Sequence, residues 1–330
     1  MNIRKQFGMT LIELMTALAI GAFLMIGAIT VFMQSRATFR ITESLARMQE
    51  NARFALEVLE PDVRMAHYWG LTTTTQNING REPPAAGNDF GKNPCGGTNG
   101  ALVLELAVTG DNNDNDFSCT MLAPLETNSD TLVVRRASQA ALAAAALQAG
   151  VTYIQSIRGT GDSQLFTGNT IPTGYTAASS ETHRLLVNAY YVSRASVGNA
   201  NVPSLRVLTY QGQGILPRFV DQEVVSGVED MQVQFGVDTD VPGAPNRGSI
   251  DRWVNPEDPL IDRASAAFDP NAEILAVRVW LRIRSERPEP GHTDDTQYVY
   301  ADQVAGPFMD SFRRIVVSKT IYLRNARPLS

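Results

Sequence analysis

Residues Met9–Met33 read MTLIELMTALAIGAFLMIGAITVFM, and how that stretch is read decides the architecture. The run holds 25 residues and one ionisable side chain, Glu13. As an α-helix it would extend about 37 Å at ~1.5 Å per residue, enough to cross a bilayer with some tilt. A short basic leader, MNIRKQFG, precedes it and ends at Gly8. Beyond Met33 no breaker intervenes, and the apolar run passes into an amphipathic helical pattern. Two oddities therefore need one explanation: an acid five positions after a glycine, and a membrane-length run that does not stop.

A secretory signal has an apolar core of ~7–15 residues followed by a small-residue cleavage site. Here the run is longer and no such site clearly ends it. A plain uncleaved anchor is the alternative, but a carboxylate within the membrane costs ~2.5 kcal/mol or more, so it needs a partner and a task. A Glu at the membrane edge, snorkelling to the interface, is the bland reading. Arg4 and Lys5 favour a cytoplasmic leader, although Arg36, Arg40, Arg47 and Arg53 beyond the run prevent charge alone from setting the orientation.

The segment Gly8-Met9-Thr10-Leu11-Ile12-Glu13 resembles the class III signal of type IV pilins and type II secretion pseudopilins. The resemblance implies cleavage by a prepilin peptidase between Gly8 and Met9, with N-methylation of Met9. Glu13 is then the fifth residue of the mature chain, as in that family, while Met stands at the first position where most members have Phe. The new α-amino group of Met9 would be positive near neutral pH. In a packed filament Glu13 of one subunit can meet the Met9 amine of a neighbour, so the isolated subunit is penalised relative to the assembled one.

From Gln34 to His67 the residues Ile41, Leu45, Met48, Ala52, Ala55, Leu59 and Val63 recur at steps of three and four, forming one apolar stripe. Glu43 and Arg47 make a favourable i,i+4 pair. Pro61 is expected to kink or weaken the helix, and Trp69-Gly70 with the Thr run at 72–75 to end it. The chain thus divides into a leader (1–8), a transmembrane half-helix (9–33), an amphipathic half-helix (34–68) and a globular domain (69–330).

Within the globular domain, residues 71–100 read as loop. Ala101–Thr109 and Thr131–Arg135 are strand candidates, and Asp111–Asp116 (DNNDND) is a polar turn. Ser138–Ala149 predicts a short helix, with Ser138 as N-cap and Gly150 after its end. Loop is expected from Gly159 to Ser180. Strand character follows in Arg184–Ser193, Ser204–Tyr210, Asp230–Val237, Ile274–Arg284 and Phe312–Arg324. Val220–Gly227 reads as a short helix and Asp238–Pro270 as a long loop. Val277, Val279, Leu281 and Ile283 alternate with Arg278, Trp280, Arg282 and Arg284, which puts one face on a core and a basic-aromatic face outward. The fold class is α+β: a long N-terminal helix on one mostly antiparallel β domain, the type IV pilin-like arrangement.

Three stretches extend the resemblance: Gly227–Asp238, Val277–Arg284 and Val317–Asn325 look like PilW-type minor pilins, which resemble the J-type minor pseudopilin of type II secretion in fold. Leu71–Ser180 carries no resemblance. The implied function is that of a minor pilin priming type IV pilus assembly at the tip, with other minor pilins and a large tip adhesin as partners. The implied location is the bacterial inner membrane, single-pass with a periplasmic C-terminal domain, and then the pilus. A minor pseudopilin of type II secretion is the alternative; a membrane-anchored periplasmic adhesin or enzyme is the third reading.

No catalytic residue emerges. Gly161-Asp162-Ser163-Gln164-Leu165 matches a GDSxL string, but no Asp-x-x-His follows near the C-terminus. His67, His183 and His292 lack ligand spacing, and Gly212-Gln213-Gly214 lacks the third glycine of a phosphate loop. DNNDND is not an EF-hand: Asp116 stands where Gly is needed and Leu122 where the terminal Glu belongs. Asp238, Asp240 and Asp251 form a second acidic loop, a weak calcium candidate against the commoner solvated turn. No other cofactor and no small-molecule substrate is indicated. Net charge is −6, or −8 on the side chains without the leader, and no Lys/Arg cluster points to nucleic acid. Behind an export signal Cys95 and Cys119 default to a disulfide across an Asn/Asp-rich segment, with two buried thiols as the alternative.

Overall fold

The computed structural model describes residues 9–84, 92–97, 99–114, 117–159, 161–176, 178–216 and 218–326. The leader, Gly8 included, lies outside the described residues, as does Asp116. Leu11–Arg64 form a single helix, α1, of 54 residues. Two compact units divide the chain within that helix, Met1–Arg47 and Met48–Ser330.

In the first unit every large apolar side chain from Leu11 to Met33 is exposed. The helix is long and apolar enough to cross a membrane. Its hydroxyls are satisfied along the backbone: Thr16 Oγ1 donates to the Glu13 carbonyl at 3.0 Å and Thr30 Oγ1 to that of Gly27 at 2.8 Å. Such back-bonding removes the need for water around a polar group in an apolar run.

In the second unit the helix becomes a core element. Met48, Ala52, Ala55, Leu59 and Val63 are buried, whereas Ile41 is exposed and Leu45 half-buried. Burial of each large side chain of the stripe contributes ~1.5–3 kcal/mol. The helix ends at Arg64, earlier than the apolar period suggests. Pro61 lies inside the helix without ending it, and Met65 N still reaches Pro61 O at 3.2 Å; beyond it the turns tighten to i→i+3, Ala66 N to Val63 O at 3.1 Å and Tyr68 N to Met65 O at 3.1 Å. His67 then takes a left-handed conformation (φ 62°).

The strands are β1 (Ile78–Asn79), β2 (Val108–Thr109), β3 (Leu132–Ala137), β4 (Thr152–Ile157), β5 (Ser163–Thr167), β6 (Ser180–Ser193), β7 (Ser204–Tyr210), β8 (Phe219–Ser226), β9 (Val228–Asp238), β10 (Arg252–Val254), β11 (Glu273–Arg284), β12 (Tyr298–Tyr300), β13 (Gln303–Ala305) and β14 (Arg314–Tyr322). An eight-stranded sheet has the order β1-β5-β4-β6-β3-β2, with β7 joined to β6 and β8 to β7. A four-stranded sheet has the order β10-β9-β11-β14, and β12–β13 form a separate hairpin. All pairs are antiparallel except β1–β5. The inner face of the smaller sheet carries Met231, Val233, Phe235 and Val237 of β9 against Val277, Val279, Leu281 and Ile283 of β11, all buried.

Gly227 lets the chain leave one sheet for the other. Its N–H donates to Pro203 O at 2.6 Å and its carbonyl accepts from Arg284 N at 2.8 Å. Its φ is +85°, and a Cβ there would lie 3.1 Å from Arg284 O. Only glycine takes that conformation at that distance without strain.

Several local expectations are corrected. Ala101–Thr109 is not one strand: a 3₁₀ turn occupies Gly100–Leu102 and only Val108–Thr109 pair. The buried Arg135 guanidinium takes the carbonyls of Leu106 (2.7 Å) and Gly100 (3.2 Å), which a ladder would otherwise use. Ser138–Ala149 forms no α-helix beyond a 3₁₀ turn at Ala144–Ala146. Ser138 N and Leu142 N instead bond to Arg184 O and Thr182 O of β6, each at 2.8 Å, and the alanines stay exposed, so nothing rewards helix formation. Val220–Gly227 is not a helix; its residues through Ser226 belong to β8, where β-branched side chains pair with β7. β1, β5 and β10 lie inside stretches read as loop, and β4, β12 and β13 carried no expectation. Finally, the Arg face of β11 does not all point to water. Arg282 is buried, because Tyr300 and the segment with Phe308 and Phe312 cover that end of the sheet.

Candidate functional site: an apolar helix with an acid in its first turn

Met9 and Thr10 lead into α1, and Met9 is exposed. Thr10 caps the helix: its Oγ1 accepts the Glu13 N–H at 3.4 Å, and its carbonyl accepts the N–H of Leu14 at 3.2 Å. Thr10-x-x-Glu13 has the spacing of a capping box. Glu13 is exposed in the first turn, where the helix dipole favours a carboxylate. Sequence reasoning missed this local role, although the T-x-x-E signature was readable. The cap orients Glu13 but leaves its carboxylate without a side-chain partner among the described residues.

Within the second unit the end of α1 is locked to the larger sheet by a buried acid that sequence reasoning also missed. Asp62 is 4% exposed. Its Oδ1 accepts Arg136 Nε at 2.6 Å, and its Oδ2 accepts Asn188 Nδ2 at 2.6 Å and Tyr190 Oη at 2.8 Å. Burial, followed by the Asp62 charge, pushes the Tyr190 phenol well above its ordinary value. The signal was present: Asp62 sits three residues after Leu59, on the apolar stripe itself. A second tie joins Lys319 of β14 to Glu60.

A buried ionic network joins β9, β11 and β14. Glu229 accepts Arg282 Nε at 3.1 Å and Arg314 Nε at 2.7 Å, and lies 3.5 Å from Arg284 Nη1. Arg314 also reaches Asp294 and Asp310, each at 2.8 Å. Burial opposes charge on both sides of this network. The guanidinium of Arg314, then those of Arg282 and Arg284, hold Glu229 below the usual carboxylate range nonetheless. Phe308 stacks under Arg314 at 3.8 Å.

Cys95 and Cys119 form a disulfide with Cα atoms 5.2 Å apart. In the chain-entropy model a loop of that size contributes ~3 kcal/mol. Asp238, Asp240 and Asp251 do converge, with one oxygen of each within 4.8 Å of the others. Both oxygens of Asp238 already accept backbone N–H groups, from Asp240 and Gly248, and Asp251 Oδ2 accepts the Thr239 N–H and hydroxyl. Desolvation, then the Asp251 and Asp238 charges, raise Asp240 above its ordinary value. Ser163 of the GDSxL string is buried, and its Oγ accepts the Ile157 N–H at 3.2 Å. His183 is buried against Tyr68, with Nδ1 on Ser138 O at 2.8 Å and Nε2 on Glu181 at 3.2 Å.

An exposed apolar helix with a capped acid in its first turn, continuing into the core of an α+β domain, is a pilin-like arrangement, and two family-model matches support a type IV pilin-like protein involved in pilus assembly. Family models agree at both ends of the chain. Residues 3–29 match the prokaryotic N-terminal methylation motif, and residues 189–325 match the type IV pilus-assembly protein W, PilW. The PilW match runs from the later part of β6 through β14 and holds Gly227 and the Glu229–Arg314 network. No curated protein and no solved structure matches the chain.

Proposed function

We propose that this chain is a minor pilin that takes part in priming type IV pilus assembly. In this reading prepilin peptidase cuts between Gly8 and Met9 and methylates the Met9 amine. The helix through Met33 anchors the chain in the inner membrane with the β domain in the periplasm. Extracted into a growing filament, Glu13 meets the Met9 amine of a neighbour, and the subunit enters a tip complex with other minor pilins and a tip adhesin. The single observation that carries the reading is an acid in the first turn of a bare apolar helix, inside the matched methylation motif. The pairing is favoured because two charges that are costly apart in lipid neutralise one another on assembly.

Co-expression with a prepilin peptidase tests the processing. Intact mass should show loss of residues 1–8 and one added methyl group; a retained leader with unmethylated Met9 would overturn the reading. Glu13→Ala should insert normally in the membrane yet co-purify less with the other minor pilins. Recovery equal to the unmodified protein would refute the pairing. Deletion should abolish surface pili; lost enzyme secretion with intact pili would transfer the chain to type II secretion.

A further inference from the structure

Just past Met33, α1 stops being apolar. Arg36 and Arg40 stand one turn apart on one side of the helix, both exposed and both within the first compact unit. We propose that this pair, with Phe32 and Phe39 beside it, is a binding site for the headgroups of anionic phospholipids in the leaflet that the helix leaves at Met33. The inference rests on reading Met9–Met33 as a membrane anchor.

The chain itself supplies these two cations with no anion. No carboxylate lies between Glu13 and Glu43. Glu43 is engaged elsewhere, its Oε1 accepting Arg47 Nη2 at 2.7 Å. Among the described residues neither Arg36 nor Arg40 has an ion pair. Like charges at i,i+4 repel one another, so an anion from outside the chain stabilises the pair. The hydroxyls nearby are turned inward: Thr38 Oγ1 donates to Gln34 O and Thr42 Oγ1 to Thr38 O, each at 3.0 Å.

The depth fits the headgroup layer. With Met33 at the hydrocarbon edge, Arg36 lies about 4.5 Å and Arg40 about 10.5 Å further along the axis at ~1.5 Å per residue. That layer is roughly 5–7.5 Å thick on each side, half the difference between ~30 Å of hydrocarbon and ~40–45 Å overall. Helical side chains lean toward the N-terminus, which here is back toward the lipid. Arg36 shows the lean directly: its guanidinium carbon lies 5.2 Å from the centre of the Phe32 ring, one turn earlier. The same lean brings the longer reach of Arg40 down into the layer. Phe32 and Phe39, seven residues apart on the adjoining stripe, are exposed and meet the upper acyl chains.

The chemistry selects the ligand. A guanidinium presents parallel N–H donors that match the oxygens of a phosphate. A zwitterionic headgroup offsets its phosphate with its own ammonium, whereas an anionic headgroup leaves the charge uncompensated. Near an anionic surface each arginine favours binding by about fivefold. A free phosphate would satisfy the guanidinium groups but has no acyl chain to lie against Phe32 and Phe39.

The test uses the full chain reconstituted in phosphatidylcholine bilayers that carry a trace of spin-labelled phosphatidylglycerol or spin-labelled phosphatidylcholine. Electron paramagnetic resonance measures the fraction of each label held at the protein surface. The parent should prefer phosphatidylglycerol by about fivefold or more. Arg36→Gln with Arg40→Gln should cut that preference by at least about threefold, and Arg36→Lys with Arg40→Lys should keep most of it. Arg4 and Lys5 are unchanged in every protein compared, so their contribution cancels. The melting temperature should not move, because both arginines are exposed and lie outside the second unit. Equal preference in the parent and the glutamine variant overturns the proposal. So does loss of the preference on adding inorganic phosphate at constant ionic strength, which would make the pair a site for a free anion. Flotation on a density gradient separates this from failure of the anchor: a chain that does not float with the bilayers overturns that reading and this proposal with it.

Discussion

Asp62 shows how one residue converts an amphipathic stripe into a specified attachment. Leu59 and Val63 would bury against any apolar surface, but the Asp62 carboxylate accepts from Arg136, Asn188 and Tyr190 in only one register. Removing it leaves a largely buried guanidinium, an amide and a phenol without their acceptor. Breaking such a pair costs about 3 kcal/mol or more. Asp62→Ala should therefore lower the unfolding free energy by about 3 kcal/mol, with Asp62→Asn in between. Denaturant unfolding followed by near-ultraviolet circular dichroism measures both. Glu13 belongs to the same scale. Its position behind Gly8 was legible as a motif, whereas its cap with Thr10 became evident from the 3.4 Å contact between the Glu13 N–H and Thr10 Oγ1.

Among the elements, the junction of β8 and β9 passes the chain from the larger sheet to the smaller. Gly227 bonds to Pro203 on one side and to Arg284 on the other. Gly227→Ala would force a Cβ to within 3.1 Å of Arg284 O at φ +85°. Holding an L-residue in that region costs roughly 1–2 kcal/mol. A loss of about that size is expected in urea unfolding, with the slope of the transition unchanged. The elements most legible in the sequence were those with strict period-two alternation between turn residues, above all β11. Those misread, the 138–149 stretch and β8, are segments whose local preferences were overruled. The first surrendered its N–H groups to β6 carbonyls, and the second found a partner strand in β7.

For the whole molecule, the Glu229 network couples stability to pH. Glu229 is held below its ordinary value of 4.5 in the fold. An acid depressed in this way binds fewer protons folded than unfolded, so its contribution is fully present above pH ~4.5 and is lost as pH falls through the folded value. A thermal-melt series from pH 7 to 3 should show a decline that begins near pH 4.5 and is shallower in Arg314→Met than in the parent. Equal slopes in the two proteins would place the acid sensitivity elsewhere. The Cys95–Cys119 disulfide, by contrast, contributes across this range.

Read alone, the sequence determined the N-terminal helix, its membrane-length run, the Gly8–Glu13 motif, the cysteine pair and the C-terminal strands. Each follows from local physics: a run too apolar for water, an acid out of place, an alternation that fits only a pleated sheet. Tertiary structure alone decided that the domain has two sheets joined at Gly227, and that Asp62 anchors the helix. It decided too that Arg282 and Arg314 are buried in a carboxylate network, and that Asn112, Gln234 and Trp253 share a groove. Those facts depend on partners that lie far apart in the chain, from Gly227 and Pro203 to Asn112 and Trp253, whose proximity no local pattern encodes.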